Sequence, residues 1–571
     1  MRHACIRGSA VLLRLLLIPA VIWVLAGCGQ GDTGADRQLT AGGLTGHDTA
    51  VRTADGQSLG TVRFITSCDY DAQPLLDRGL ALLHHMTYDQ ADADFRSAAQ
   101  IDQHCAMAYW GSAMTFVHPL WPDTVPPDKL AAGRELLDRA RAARHGNKRE
   151  RAYIEALQAY YADDEDNSET GRLRRYASAW ENVYREYGDD PEAKLFYALA
   201  LLATAPMSDK SYKTQRAAGA LAEQVLDAIP QHPGAHHYII HAYDSPPLAE
   251  RALPVARSYG RVAPENAHAL HMTSHIFTRL GLWADSIEFN RRAAAAASAR
   301  TPAGAVSMHH LHALDYLAYA WLQTGNDAAA RNVLEQLRAL QPPYENNAAT
   351  AYAFAAVPAR YALERQDWAA ASSVAERWPD GIPWDEYPHL VAIPEFTRAI
   401  GGARSGDLAV ANEAIDALAA LQQQAAALNM AYDWGIQVAI QKTGAEAWLK
   451  YASGDTGAAL GLMQQAAEME SSTEKNPVTP GEVLPARELY GDMLLATGRY
   501  AGARREYEAA LDRSPNRFNS LFGAGRAAEL GGDQQAAASF YRRLLEICAG
   551  TESDRPQLEH ARQALKVPPP D

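Results

Sequence analysis

The sequence predicts an all-α chain, wound as a right-handed superhelical solenoid of paired helices. Beyond residue 70 an alanine-rich pattern of helical period runs almost unbroken, and its turns, marked by Gly-Asp, Gly-Asn, Gly-Arg or Pro, recur at the spacing of a helix pair. No segment reads as a strand. Hairpins that bury their apolar faces only against their neighbours stack into a rod with one concave side.

The chain is expected to begin with an export signal over residues 1–27. Arg2, Arg7 and Arg14 supply a basic start, Val11 to Leu25 is apolar apart from Arg14, and Leu25-Ala26-Gly27-Cys28 closes the segment with small residues. The apolar core is shorter than the roughly 20 residues a membrane-spanning helix needs. The quartet ending in Cys28 resembles the bacterial lipobox, which implies lipidation of Cys28 and a mature protein held at a membrane only by acyl chains. Gly29 in place of Asp implies, by the same resemblance, the periplasmic side of the outer membrane in the cell envelope. Residues 28–64 are rich in Gly, Thr, Asp and Ala and are expected to form a flexible tether. The solenoid is expected over 65–547 and a C-terminal tail over 548–571.

A composition that is 47% hydrophobic allows a large core, and a net charge of -15 with no basic stripe argues against nucleic acid as a partner. With Cys5 in the signal and Cys28 at the anchor, Cys68, Cys105 and Cys548 remain. An oxidising compartment favours one disulfide, expected between Cys68 and Cys105 because they flank the first hairpin; three buried thiols are the alternative.

The repeat is clearest from Pro485 to Pro515, where Gly491, Gly498, Ala503, Tyr507, Ala510 and Pro515 follow a small, small, small, aromatic, small, proline order. Thirty-four residues beyond Gly498 stands Gly532, followed by Ala537, Tyr541 and Leu544. Gly79, Ala91, Phe95 and Ala98 repeat the order near the start; Gly281, Ser286, Asn290 and Ala293 repeat it midway. These positions resemble the tetratricopeptide superfamily, whose fold is a solenoid that binds a partner protein or peptide in its groove. The stretches His104–Gly111, His271–His275 and Asn476–Gly481 are similar to those of exported bacterial members. Two departures stand out: an insertion near 299–310, and a Pro-containing connection from Ser471 to Pro485 whose Glu482 is expected in solvent.

Ten of the nineteen histidines lie between His232 and His312. In the 34-residue register His237 and His271 share position 5 of the first helix of a hairpin, and His241 and His275 share position 9. A spacing of four puts each pair on one helix face, and the resemblance implies that positions 2, 5, 9, 12 and 13 line the groove. His268 adds position 2 and Asp244 position 12; the next hairpin contributes His312, Asp315 and Tyr319.

Three chemistries are open to this cluster. His237, His241, His271 and His275 with Asp244 form a donor set for Zn, Cu, Ni or Fe. The same pocket could serve a metal-dependent, hydrolase-like enzyme, although no His-Glu-x-x-His helix, Gly-x-Ser-x-Gly elbow or phosphate loop is present and no catalytic residue can be named. Alternatively the imidazoles hydrogen-bond to each other, to neighbouring tyrosines and to a bound peptide. The expectation is a membrane-anchored scaffold with a candidate metal site in its groove.

Overall fold

Tyr507 shows how the hairpins are joined. Its ring fills the space left by Gly491 on its own hairpin and Gly523 on the next, so that a Cβ at either glycine would collide with it. Phe95 does the same between Gly79 and Gly111 near the start of the stack. Gly498 and Gly532 end successive first helices with φ of +74° and +85°, a left-handed geometry that a side chain would strain.

The computed structural model describes residues 48–121, 125–301, 305–428, 430 and 432–566. The expected signal segment and Cys28 lie outside them. The described residues form 25 α-helices, paired antiparallel, with the first helices of consecutive hairpins packed side by side from Pro233–Tyr243 onward. None of these helices is long and apolar enough to cross a membrane. Cys68 and Cys105 are joined by a disulfide, with Cα atoms 4.7 Å apart, and Cys548 is a buried thiol.

Two boundaries differ from expectation. The tether drawn over 28–64 ends early, because β1 (Thr49–Arg52) and β2 (Ser58–Val62) pair antiparallel. Val51, Leu59, Val62 and Phe64 are buried, and Thr61 donates its N–H to the Gln231 carbonyl at 2.9 Å. Averaging the composition over the whole segment hid these four apolar residues, which suffice to dock a short hairpin. The tail drawn over 548–571 instead carries the helix Pro556–Leu565, which buries Leu558 and Ala561 completely; Arg555 pairs with Asp327 at 2.6 Å.

The stack also folds back on itself. The helix Met308–Gln323 meets the helix Phe518–Leu530, about two hundred residues away in sequence; the Gln323 side-chain oxygen accepts from the Phe518 N–H at 2.9 Å, and the Trp283 indole donates to the Asn516 carbonyl at 2.8 Å. The connection 473–485 runs through the hollow thus enclosed. Tyr316 donates to the Val478 carbonyl at 3.2 Å, Arg360 to the Gly481 carbonyl at 2.8 Å, and Lys475 pairs with Asp244 at 2.9 Å. Glu482, expected in solvent, pairs with Arg513 at 2.8 Å.

Arg517 fastens this closure. Fully buried, it donates to Glu488, to Glu364 at 2.8 Å and to the Tyr319 hydroxyl at 2.8 Å, bridging three helices with one guanidinium fork. Arg517→Met leaves two buried carboxylates without their cation and is expected to destabilise the fold by about 3–5 kcal/mol, read as a lowered urea midpoint. An unchanged midpoint contradicts this role.

Candidate metal centre

Three first helices carry the histidines. Pro233–Tyr243 starts on a proline and is capped by His232, whose Nδ1 accepts from the N–H groups of Gly234 and Ala235 at 3.1 and 3.4 Å. Asn266 caps Ala267–Arg279 through Ala269 N–H, and Ser307 caps Met308–Gln323. Because the caps fix where each helix begins, they fix which way positions 2, 5 and 9 face. His237, His268, His271, His275 and His312 are all buried.

The four imidazoles expected to meet at one point divide instead into two pairs, each joined by a third ring. Nε2 of His271 stands 3.0 Å from Nε2 of His275, and His312 lies tilted against His271 with ring centres 4.2 Å apart. One ring nitrogen from each of these three lies within 4.8 Å of the others. Nε2 of His237 stands 3.1 Å from that of His241 and 3.2 Å from that of His268. The rings of His241 and His275 are 6.1 Å apart between centres. The division has a geometrical cause: position 5 of one first helix faces position 2 of the next, so each pair recruits its third member from the following hairpin.

The far nitrogens settle which tautomers face inward. Asn290 donates its amide to the Ser286 carbonyl at 2.8 Å, so its oxygen accepts from Nδ1–H of His271 at 2.9 Å. Nδ1–H of His275 donates to Asp244 at 3.1 Å, and Nδ1–H of His237 to the His84 carbonyl at 2.6 Å. Each of these three neutral rings therefore points an Nε2 lone pair into the hollow. For His271 and His275 two lone pairs face each other at 3.0 Å, a repulsive contact unless a cation lies between them. At bonds of about 2.05 Å to a tetrahedral zinc-sized ion, two nitrogens sit roughly 3.3 Å apart.

Protons are poor candidates for that cation. Burial pushes the basicity of His237 down to about 3 and that of His309 to about 4. Burial, reinforced by the neighbouring imidazoles, holds His241, His268, His271 and His312 well below the usual histidine range. Burial lowers His275 as well, against the opposing pull of Asp244, and the shifts all favour the neutral form that binds metals.

Asp244 stands behind the site instead of in it. Its oxygens accept from His275, Lys475 and Arg279 at 3.1, 2.9 and 3.1 Å. Burial alone would raise this carboxyl, but Lys475 and Arg279 outweigh it and hold it well below the ordinary value. It orients His275, as carboxylates behind metal-bound histidines do. Asp315 and Tyr319, expected to line the groove, are turned to other partners: Asp315 to Arg360 at 2.5 Å, Tyr319 to Arg517 and the passing Gly481.

Sequence reasoning missed Asn290, although it occupies the repeat position where Phe95 and Tyr507 put an aromatic ring; a polar residue in that slot is a signal. Lys475, the closing residue, carried none. A small cavity touches His241, His268, His275 and His312, with Met86 and Met272 beside them and Val478 of the connection as its roof. It has room for roughly one water-sized guest.

A second histidine cluster is saturated. Glu192 accepts from His84 at 2.7 Å and from His232 at 3.0 Å, while the other nitrogens accept from Tyr238 and from the backbone at the helix start. All four ring nitrogens are thereby engaged. Near the disulfide, Asp102 accepts from Asp69 N–H, His104 N–H and His145, and so works as a cap.

Residues 491–551 match the tetratricopeptide repeat family. No curated protein matches the chain. Among solved structures, a human IFIT1 dimer with PPP-AAAA is 12% identical with a TM-score of 0.37, covering 83% of this chain and 89% of that one. Yeast Tom70 is 13% identical with a TM-score of 0.32, covering 87% and 96%.

Glu192→Ala strips the acceptor from two buried N–H groups, each worth about 1–3 kcal/mol. The expected result is a lower melting temperature by circular dichroism; a wild-type melt would refute the saturated-network reading.

Proposed function

We propose that this protein binds a transition metal ion in the closed hollow of its solenoid, through His271, His275 and His312. The observation that carries the proposal is the pair of Nε2 lone pairs of His271 and His275 turned toward each other at 3.0 Å, with both far N–H groups anchored. Neutral imidazoles suit Cu, Zn, Ni and Fe, and the thioethers of Met86 and Met272 along the cavity tilt the choice toward copper. The tetratricopeptide scaffold supplies the rigid hairpins that hold the ligands.

This reading takes precedence over a groove that binds a peptide, because the chain's own residues 476–482 occupy the hollow beside Asp315 and Tyr319. It also disfavours a hydrolase of organic substrates, since the cavity admits roughly one water-sized guest. Elemental analysis of tag-free protein loaded with Cu or Zn tests it. The wild type is expected to retain the ion through gel filtration and His271→Ala, His275→Ala to lose it. Asn290→Leu, which removes the anchor of His271, is expected to weaken binding about 10- to 100-fold. Equal retention by all three would sink the assignment.

The same reading keeps the protein in the cell envelope, tethered through Cys28. The Cys68–Cys105 disulfide supports it, since such bonds persist in oxidising compartments. Cys28→Ser is expected to move the protein from the membrane fraction to the soluble periplasm, and unchanged fractionation contradicts the anchor.

A further inference from the structure

The connection 473–485 borders two cavities. Val478 roofs the histidine cavity, while Glu482, Val483 and Leu484 wall a second one, set among the helices Pro388–Ser405, Trp434–Ala452, Thr456–Ser472 and Ala486–Ala496. This second space has room for roughly three to five water-sized groups. Among the described residues no lysine or arginine lines it. Its polar lining is two carboxylates, Glu470 and Glu482, and two amides, Gln437 and Gln441.

The carboxylates are unequally provided for. Glu482 pairs with Arg513 at 2.8 Å, and the same guanidinium donates to the Thr473 carbonyl at 3.1 Å. Glu470 is buried, and both its oxygens accept from a single donor, the Ala486 N–H, at 3.0 Å each. It enters no ion pair among the described residues; the neighbouring Arg487 is committed to Glu506 at 2.5 Å. Other carboxylates buried around the hollow are matched, Glu364 and Glu488 by Arg517 and Asp315 by Arg360. Burial and the Glu482 charge push the Glu470 carboxyl up, against the pull of Arg513. A buried carboxylate without a cation is costly.

We propose that this cavity binds a small primary ammonium ion, a free alkylamine of about three carbons, with Glu470 as its counter-ion. An ammonium brings three N–H donors and no acceptor. Glu470 and Glu482 answer two of them, and Gln437 answers the third. The Thr473 hydroxyl donates to the Glu470 carbonyl at 3.0 Å and accepts from the Gln437 amide at 3.2 Å, which leaves the Gln437 oxygen as an acceptor for the guest. Phe396 borders the same space, and an aromatic ring attracts a cation. Ile440 and Met463 receive the alkyl chain. An anion would meet two carboxylates, and a neutral alcohol would leave Glu470 uncompensated.

Calorimetric titration of the full-length protein with n-propylammonium chloride, 1-propanol and sodium propionate at neutral pH tests the assignment. Expected is one n-propylammonium per chain, with 1-propanol about 10- to 100-fold weaker and propionate unbound. Glu470→Gln keeps an oxygen for the Ala486 N–H, so the fold is retained, and the ammonium is expected to fall to the affinity of the alcohol. Gln437→Leu leaves both carboxylates in place and is expected to weaken the ammonium by a smaller factor; should Glu470→Gln not fold, it still reads the site. Equal affinity for ammonium and alcohol, unchanged binding by Glu470→Gln, or no binding by the wild type overturns the proposal. Nα-Acetyl-lysine methylamide carries the same ammonium on a peptide and is expected not to bind. If it matches n-propylammonium, the pocket takes a lysine side chain and the free amine is refuted.

Discussion

The histidines of the hollow are buried, and the character of every group within it depends on that burial. An exposed imidazole is half protonated near pH 6.5 and finds solvent for both nitrogens. Here the fold-back of the last hairpins and the passage of residues 473–485 remove solvent from a row of histidines on three helices. Dehydration leaves the rings neutral, and a neutral ring whose Nδ1–H is taken by Asn290, Asp244 or a carbonyl must present a bare Nε2 to its neighbours. The chemistry of the site thus follows from its enclosure.

Enclosure itself depends on polar groups buried far from the histidines. The connecting segment brings backbone carbonyls into a dry interior, where unmet ones are costly. Tyr316 answers that of Val478 and Arg360 that of Gly481. Arg360 and Arg517 are themselves fully buried ions, each facing carboxylates on other helices. Such pairs add little net stability compared with apolar packing, yet breaking one side is expensive. Their effect is to admit one register between the early and late hairpins, the register in which the roof lies over the imidazoles.

Much of the scaffold was legible in the sequence because repeat positions have local physical meanings. Glycine opposite a tyrosine, as at Gly491 and Tyr507, announces a close helix approach wherever it occurs. Histidines four apart announce a shared face, and the 34-residue step tied His237 to His271. What the sequence withheld is long-range. That position 5 of one hairpin meets position 2 of the next depends on helix crossing, so the grouping of His268 with His237 and of His312 with His271 was out of reach. That Lys475 would reach Asp244 depends on a superhelix curling back over more than two hundred residues. The short hairpin at 49–62 and the final helix were lost for a different reason: each carries only a few apolar residues, too few to stand out in an average over a polar segment.

The roof over the histidines also imposes an order of events. Its residues emerge from the ribosome well after the helices they cover, since Lys475 and Asp244 lie 231 positions apart, and contacts so distant in sequence form late in folding. Until those late contacts form, the imidazoles stand in an open trough. Once the last hairpins dock, exchange requires lifting a segment pinned by buried hydrogen bonds and ion pairs. On the proposed metal reading, an ion enters before the clasp closes and leaves only when it opens.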